Sequence, residues 1–441
     1  DVVHISLTAD GQNQPQLTAL PLQIAFRTEG GTTLNLTGDA SVNLTPPVSA
    51  QFRNGQLALA QPLLTPTSDS QLTDLTLQSQ FNAYWLADSW QLDVQTANAS
   101  ISRLNTTDIA AHNINLLSKN SRVNGDKAFT DIQLSAEPKI RLSQLTHSTL
   151  NPLDWEWHTK MAGNLTRLEL EGRLTNSASL DIKHQLHYTA DNTRLNWQLE
   201  DIFLLAGNPL SATLASWPAL LEFTRGRLAG SGELIVSPQP GATANLSLSG
   251  VSGIYDRSLF QDLTAPLQLH YQADQLQLST TAATLAELNH GIIAGPVTLT
   301  AQYQAHTDAV TAGSLTIAQL QVQAMGGQVQ IQPQVLDLAL AEQTLQLELK
   351  KIDISQLLAQ HPSTDISGNG LISGTIPLLL SRHGVSVKNG FLAAENPGGK
   401  LQYRPPTAQS MAASNPGMKV VLEALDDFHY SVLSSNVSYD T

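Results

Sequence analysis

The sequence predicts an almost all-β protein, made of short strands joined as a meander together with a few short helices. Three observations predict this fold: apolar and polar residues alternate with a period of two, turn-forming residues separate the alternating runs, and helical periodicity is rare. Successive side chains of a strand point to opposite faces, so each alternating run has one apolar and one polar face.

The clearest alternating runs lie between residues 168 and 349. They are 168–171, 180–188, 195–199, 242–248, 267–271, 276–278, 297–303, 320–322, 329–331 and 345–349. Turn-forming pairs such as Asp191-Asn192 and Ala273-Asp274 stand between the runs. We therefore predict a strand at each run and a turn between consecutive strands.

Three segments carry helical signals. Residues 210–221 allow one or two turns, although Pro218 interrupts them, and residues 353–362 predict a short helix that its proline ends. The clearest helix runs from Pro416 to Phe428, because Asn415 suits the N-cap and proline suits the first helical position.

Composition argues against several classes of protein. Only 14% of the 441 residues are charged, 41% are apolar, and 37 acidic residues face 23 basic ones. The low charge and the supply of Leu, Ile and Val argue against disorder, and the net charge of −14 argues against nucleic-acid binding. Without cysteine the chain has no disulfide and no thiolate site, which mildly favours an oxidising compartment such as the periplasm.

The sequence offers no recognisable catalytic or cofactor site. His184 and His187 are three residues apart in a predicted strand, so they lie on opposite faces and make a poor metal pair. The segment Gly368-Asn-Gly370 fails the dinucleotide fingerprint because Ser373 takes the place of the third glycine. We predict no enzyme activity, no cofactor and no metal site.

No signal peptide or membrane-spanning helix is visible. The first residues lack a basic region followed by an apolar one. The uncharged stretch 310–336 is interleaved with glutamines, whereas a spanning helix needs about 20 mostly apolar residues. We expect any anchor or export signal to lie outside this sequence.

The apolar strand faces allow two architectures. In a compact sandwich or barrel they form a closed core. If one long twisted sheet instead curls lengthwise without closing, they line a continuous apolar trough that acyl chains would fill. The residues expected to line such a lipid groove are Leu168, Leu170, Leu180, Ile182, Leu186, Tyr188, Leu246, Leu248, Leu267, Leu269, Tyr271, Val297, Leu299, Tyr303, Val329, Ile331, Leu345, Leu347 and Leu349.

The C-terminal third carries an ordered succession of motifs. A glycine-rich segment, 366–378, is followed by Gly384 to Ala394, then by Asn396-Pro-Gly-Gly-Lys-Leu-Gln-Tyr403 and by Leu425 to Tyr430. Over residues 350–441 this order resembles the YdbH proteins of Gram-negative bacteria, members of the AsmA-like group that also contains TamB and YhdP. The rest of the chain is similar only in its repeated short amphipathic strands.

The resemblance implies a fold and a role. The fold is a mainly β, long, curled, open antiparallel sheet, a groove called a β-taco, with a few short helices. The role is to carry phospholipids through the periplasm between the inner and outer membranes, and so to contribute to outer-membrane lipid homeostasis. An N-terminal helix outside this sequence would hold the protein in the inner membrane, with the C-terminal end directed at the outer membrane.

We expect groove segments at 1–204 and 205–404, the second with short helical insertions, and a C-terminal helix with terminal strands at 405–441. The last strand of an open sheet leaves backbone groups unpaired and can receive another strand. Tyr430, Val432, Val437 and Tyr439 are the predicted partner-strand residues, unless the tail folds back on the preceding helix. The resemblance points to a small outer-membrane lipoprotein as the partner.

Two other functions stay open. A structural or interaction β-solenoid, for example an adhesin-like protein, would have a closed dry core and more regular repeats. A polysaccharide-processing β-helix enzyme would need charged residues clustered on one face, and the sequence shows no such cluster.

Overall fold

The computed structural model describes residues 2–7, 16–360, 365–381, 384–404 and 416–439. Its architecture is mainly β, with a large antiparallel sheet, a second sheet of three strands and few short helices. This confirms the predicted fold class. Asn415 and Pro362, the expected ends of two helices, lie outside the described residues.

The strands up to residue 203 are β1 (Val2–Leu7), β2 (Gln16–Arg27), β3 (Thr33–Asn43), β4 (Ser49–Thr67), β5 (Ser70–Trp85), β6 (Ser89–Asn105), β7 (Ala110–Asp126), β8 (Ile132–Ala136), β9 (Lys139–His147), β10 (Leu150–Asn164), β11 (Arg167–Asn176), β12 (Asp181–Thr189) and β13 (Thr193–Phe203). The later strands are β14 (Leu221–Ser237), β15 (Gly241–Tyr255), β16 (Ser258–Gln272), β17 (Gln275–Leu285), β18 (Glu287–Asn289), β19 (Ile293–His306), β20 (Ser314–Ala324), β21 (Gly327–Ile331), β22 (Gln334–Asp337), β23 (Glu342–Asp353), β24 (Ile366–Asn369), β25 (Leu371–Ser381), β26 (Gly384–Ala394), β27 (Gly399–Tyr403), β28 (Phe428–Tyr430) and β29 (Ser434–Tyr439).

The helices are α1 (Pro209–Thr213), α2 (Ile354–Ala359) and α3 (Pro416–Asp426). The Asn208 side chain caps α1 by accepting from two backbone N–H groups, and Asp353 caps α2 in the same way through the N–H of Ser355. All three lie within or beside the predicted helical segments, but α1 is shorter than 210–221 because Leu214 has an extended backbone and forms an antiparallel bridge with Leu150 of β10. None of the helices in the described ranges is long and apolar enough to cross a membrane.

The chain forms two units. Unit 1 comprises residues 1–202, 208–218 and 230–240, and unit 2 comprises 203–207, 219–229 and 241–441. In unit 1, consecutive strands pair antiparallel from β1 to β7. The two short strands β8 and β9 then share one position between β7 and β10, and β10 to β13 continue the sheet.

Unit 2 follows the same scheme. Strands β17 and β18 share the position between β16 and β19, and β21 and β22 both pair with β20. Strands β23, β25, β26 and β29 then follow in order, while β24, β27 and β28 form the separate small sheet. Among the described residues β1 pairs with β2 alone and β29 with β26 alone, so the large sheet is not closed as a barrel.

Bulges interrupt the strand alternation at residues with a left-handed backbone. Asn54, Lys351 and Asn389 have φ angles of 55°, 53° and 58°, and the pairing register shifts beside each of them. A bulge adds one residue to a strand, so side chains three apart end on the same face. Leu349 and Ile352, on either side of Lys351, are one such pair.

Candidate functional site

One face of the unit 1 sheet is apolar from strand to strand. Residues directly opposite each other in neighbouring strands point to the same face, so the pairing register defines cross-strand rows. One such row runs through Phe26, Leu34, Leu59, Leu77, Ala99, Leu116, Ile140, Trp157, Leu174, Ile182 and Leu199. We call this side of unit 1 the unit 1 face.

The predicted groove residues of unit 1 lie on this face. A second row runs through Ala40, Phe52, Ala83, Leu92, Val123, Leu134, Gly163, Leu168 and Tyr188. Leu170 and Leu186 are paired on the same side, and Leu180 stands just before β12. Leu170 and Leu180 are buried, whereas Leu168, Ile182, Leu186 and Tyr188 are half-buried.

The unit 1 face also carries most of the tryptophan side chains. All tryptophans except Trp217 lie on it, and Trp85, Trp90 and Phe129 form a cluster with ring centroids 5.2 to 5.9 Å apart. With Phe52 and Leu92 they line an apolar pocket of about 400 Å³. Trp155 is buried and Trp85 is 40% exposed, so the tryptophans include both core and rim positions.

One histidine interrupts this apolar surface. The Trp157 indole Nε1–H donates to Nε2 of His184 at 2.9 Å, and burial lowers the pKa of His184. His187 lies on the opposite face, 3.7 Å from the Glu169 carboxylate. The structure thus separates the two histidines as the alternation predicts.

The predicted groove residues of unit 2 also share a single face, the unit 2 face. Its rows include Ala244, Leu269, Leu278, Tyr303, Leu315 and Leu336, then Leu299, Leu320, Ile331, Leu347 and Ile376, and then Val297, Val322, Val329, Leu349, Gly374 and Leu392. Leu246, Leu248, Leu267, Tyr271 and Leu345 are paired on the same side. Ile331 is buried, and the other predicted residues of this unit are half-buried.

The opposite face of unit 1 is polar and carries cross-strand ion pairs. Glu156 binds Lys139 at 2.5 Å and Arg141 at 2.6 Å, and hydrogen bonds from both cations lower the pKa of its carboxyl. Arg122 pairs with Asp93 at 2.7 Å in the same manner. The side chains of these pairs are between about a third and two thirds exposed, so each pair contributes little to stability, and this side of the sheet remains polar.

Part of the unit 2 face is covered by a second layer, which we call the cap: α2, β24, β27 and β28. Ile354 and Leu358 of α2, Leu401 of β27 and Tyr430 of β28 pack against the sheet. The sheet residues in this cluster are Met325, Val329, Leu349, Ile352, Ile372, Leu392, Ala394 and Leu433, which precedes β29. Val329 and Leu349, both predicted groove residues, are therefore shielded by protein.

The predicted partner-strand residues are not together. Tyr430 is 6% exposed in the small sheet, and its hydroxyl donates to the carbonyl of Asn369 at 2.8 Å. Val432 is 84% exposed just before β29, while Val437 and Tyr439 are in β29 itself. The backbone carbonyl of Leu433 accepts a hydrogen bond from the N–H of Ala394 of β26. The backbone N–H and C=O groups of the odd-numbered residues of β29 therefore point toward β26, and those of the even-numbered residues point toward the free edge.

Sequence reasoning missed the face residues before Leu168. Phe26, Leu34, Leu59, Leu77 and Leu116 belong to no predicted run, although Leu57-Ala-Leu59 and Leu75-Thr-Leu77 show the same alternation. Their strands are long and rich in Gln, Ser and Thr, which weakens the contrast between the two faces.

Each of the two faces is an apolar surface. In the part of the chain that the structure describes, no set of three or more His, Asp or Glu residues could hold a metal ion. What the two faces can do is bind apolar molecules, because their half-buried Leu, Ile and Val side chains are open to contact.

Comparison with known proteins identifies the family. No curated protein matches the sequence significantly. The family model called YdbH-like, described as "Intermembrane phospholipid transport protein YdbH", matches residues 3–441. The match covers nearly the whole chain, well beyond the C-terminal motifs, so the chain belongs to the YdbH-like family of intermembrane phospholipid transport proteins.

Proposed function

We propose that the chain is a periplasmic hydrophobic conduit that carries phospholipids between the inner and outer membranes and so contributes to outer-membrane lipid homeostasis. The observation that carries the proposal is the arrangement of the predicted groove residues: in each unit they lie on one face and are mostly half-buried. An apolar surface of this kind is costly in water, at about 25 cal/mol per Å², and acyl chains would cover it.

The mechanism is passive binding and displacement. Acyl chains lie against the Leu, Ile, Val and Tyr side chains of the faces, while the charged headgroups stay in water. No bond is made or broken, so the chain is not an enzyme and needs no cofactor. In the cell an N-terminal helix outside this sequence would hold the protein in the inner membrane.

Native lipid extraction followed by mass spectrometry tests the cargo. Phospholipid that co-purifies with the chain supports the conduit. A lipid-free protein that a photoreactive phospholipid also fails to label would favour the alternative, a structural β-solenoid or adhesin-like protein with a dry core.

Two charge substitutions test the faces. Ile182→Asp in unit 1 or Leu269→Asp in unit 2 should block lipid passage while the protein still folds, because a carboxylate on an open face keeps its water. In a closed core the same carboxylate would be buried without a partner, at a cost of several kcal/mol.

The matched controls are Gln185→Asp and Gln268→Asp, which place the same charge on the opposite, exposed face of the same strands. Both should leave lipid passage unchanged, and Gln268→Asp should also leave the circular dichroism melting curve unchanged. Gln185→Asp lies directly opposite Glu171, and this like-charge pair should lower its melting temperature slightly. Unfolding of the Ile182 and Leu269 variants, with intact controls, would contradict an open face.

We further propose that a small outer-membrane lipoprotein adds a strand to the free edge of β29. Val437 and Tyr439 belong to the apolar side of the sheet, since they pair with Gly390 and Val387. An added strand with alternating apolar residues would continue that side. Because Tyr430 is buried, the proposed contact comprises β29 and Val432.

A further inference from the structure

The cap divides the C-terminal part of the unit 2 face into covered and uncovered rows. The covered rows are Val329, Leu349, Gly374 and Leu392, and Ile352, Ile372 and Ala394. The next rows along the same strands are Leu347 and Ile376, which lie beside the buried Ile331, and Leu345, Leu378, Val387 and Tyr439. Among the described residues, the cluster formed with the cap includes none of the side chains of these two rows, which we call the open rows.

The open rows lead to the free edge of the sheet. Val387 pairs with Tyr439, and Gly390, which follows Ile376 on this side, pairs with Val437. The covered rows instead end at Ser435 of β29, which pairs with Leu392, and at Leu433 before β29, which is hydrogen-bonded to Ala394. The apolar part of β29 is therefore continuous with the open rows.

Tyr430 fastens the cap. Its hydroxyl donates to the Asn369 carbonyl at 2.8 Å and joins β28 to the end of β24. A Cβ on Gly399 would lie 2.5 Å from this hydroxyl oxygen, and one on Gly370, at φ 123°, would be closer still. The Tyr430 hydroxyl thus occupies space that only glycines leave free, while its side chain belongs to the buried cluster.

We propose that the cap confines acyl chains to the open rows, so that cargo passes the last strands beside Leu347, Leu378 and Val387 and reaches the edge at Val437 and Tyr439. Tyr430 is a positioning residue in this arrangement, because it holds the cap over the covered rows without contacting cargo. The inference rests on the proposed lipid-carrying function and specifies where, at the C-terminal end, the lipid lies.

The test uses the whole chain and a phosphatidylethanolamine with a diazirine near the end of one acyl chain, presented in vesicles. After illumination, peptide mass spectrometry locates the adducts. In the wild-type chain we expect adducts at Leu347, Leu378 and Val387 and none at Leu349, Ile372 or Leu392.

Two variants then test the role of Tyr430. Tyr430→Phe keeps the ring but removes the hydrogen bond to the Asn369 carbonyl, so labelling at Leu349 and Leu392 should rise less than in Tyr430→Ala. Tyr430→Ala removes the ring, and adducts should appear at Leu349 and Leu392. Circular dichroism checks that Tyr430→Ala folds. If this variant does not fold, the adduct pattern of the wild-type chain alone tests whether the cap confines the acyl chains.

The outcomes separate this inference from the proposed function. Equal labelling of Leu349 and Leu347 in the wild-type chain would overturn the confinement while leaving lipid binding intact. An absence of adducts in both units would overturn the conduit itself and the confinement with it.

Discussion

At the scale of single residues, His184 is a titratable side chain on the unit 1 face, and it is hydrogen-bonded to Trp157. Its Nε2 accepts the Trp157 indole proton, which requires that this nitrogen carry no proton. Burial lowers the pKa of His184 below its ordinary value of 6.5, because a charged imidazole on an apolar face loses its water.

This pKa shift predicts a loss of stability in acid. Between the lowered pKa of the folded state and about 6.5 the unfolded chain binds more protons, so stability is full above about pH 6.5 and falls as the pH drops. The melting temperature of the wild-type chain should therefore fall more between about pH 7.5 and pH 5 than that of His184→Gln, whose amide accepts the same hydrogen bond without titrating. Parallel pH profiles for the two proteins would argue against this role of His184.

At the scale of single strands, bulges decide which residues reach the apolar side. Strict alternation over 384–394 would place Val385, Val387 and Phe391 on one face of the strand and Leu392 on the other. The bulge at Asn389 reverses this: Val387 shares the apolar side with Leu392, while Phe391 is 48% exposed on the other side.

This is where sequence reasoning reaches its limit. The runs at 180–188 and 345–349 contain no bulge, and their predicted faces agree with the pairing register. A left-handed residue such as Lys351 cannot be recognised from its type, so the switch from Leu349 to Ile352 is invisible in the sequence. The cap, too, depends on contacts between residues far apart along the chain.

Removing a bulge residue should therefore displace half of a strand. Deletion of Asn389 keeps the pairing on one side of the bulge and turns the half-buried Val387 toward water, at a cost of up to about 1.5 kcal/mol, whereas Val385 is already exposed. We expect a lower melting temperature by circular dichroism. Asn389→Gly should melt like the wild type, since glycine also adopts the left-handed backbone.

The free edge of β29 makes a second prediction at this scale. Proline is tolerated on an edge strand where its missing N–H would face solvent. The N–H of Asn436 faces the free edge, so Asn436→Pro should preserve folding and abolish strand addition. In cells, photoreactive residues at Val432 and Tyr439 should crosslink to a small lipoprotein in the wild type and fail to do so in this variant.

The control is Ser435→Pro. The N–H of Ser435 points toward β26, so its loss should weaken the pairing between β29 and β26. Crosslinks that form only within the chain, or that survive Asn436→Pro unchanged, would contradict strand addition at this edge.

At the scale of the whole molecule, the two faces differ in chemistry. Every tryptophan is in unit 1, whereas the unit 2 face is mostly aliphatic. Tryptophan fluorescence therefore reports lipid on unit 1 alone. Phospholipids with brominated acyl chains should quench this emission on binding, and unbrominated ones should not. Ile182→Asp should reduce the quenching, because Trp157 lies in the same cross-strand row and Trp197 in the neighbouring strand, and equal emission with both lipids would argue against acyl chains on the unit 1 face.

The cross-strand rows also bear on how such a sequence can vary. Along a row such as Phe26 to Leu199, most positions require an apolar side chain but not a particular one. Exchanges among Leu, Ile, Val, Met and Phe therefore change the stability of the fold little. The amino acid at each position can therefore change while the surface stays apolar. Under the cap the tolerance ends, because Tyr430 needs Gly370 and Gly399 beside it. Recognisable motifs should accordingly concentrate in the C-terminal third, where shape rather than hydrophobicity restricts the choice of residue.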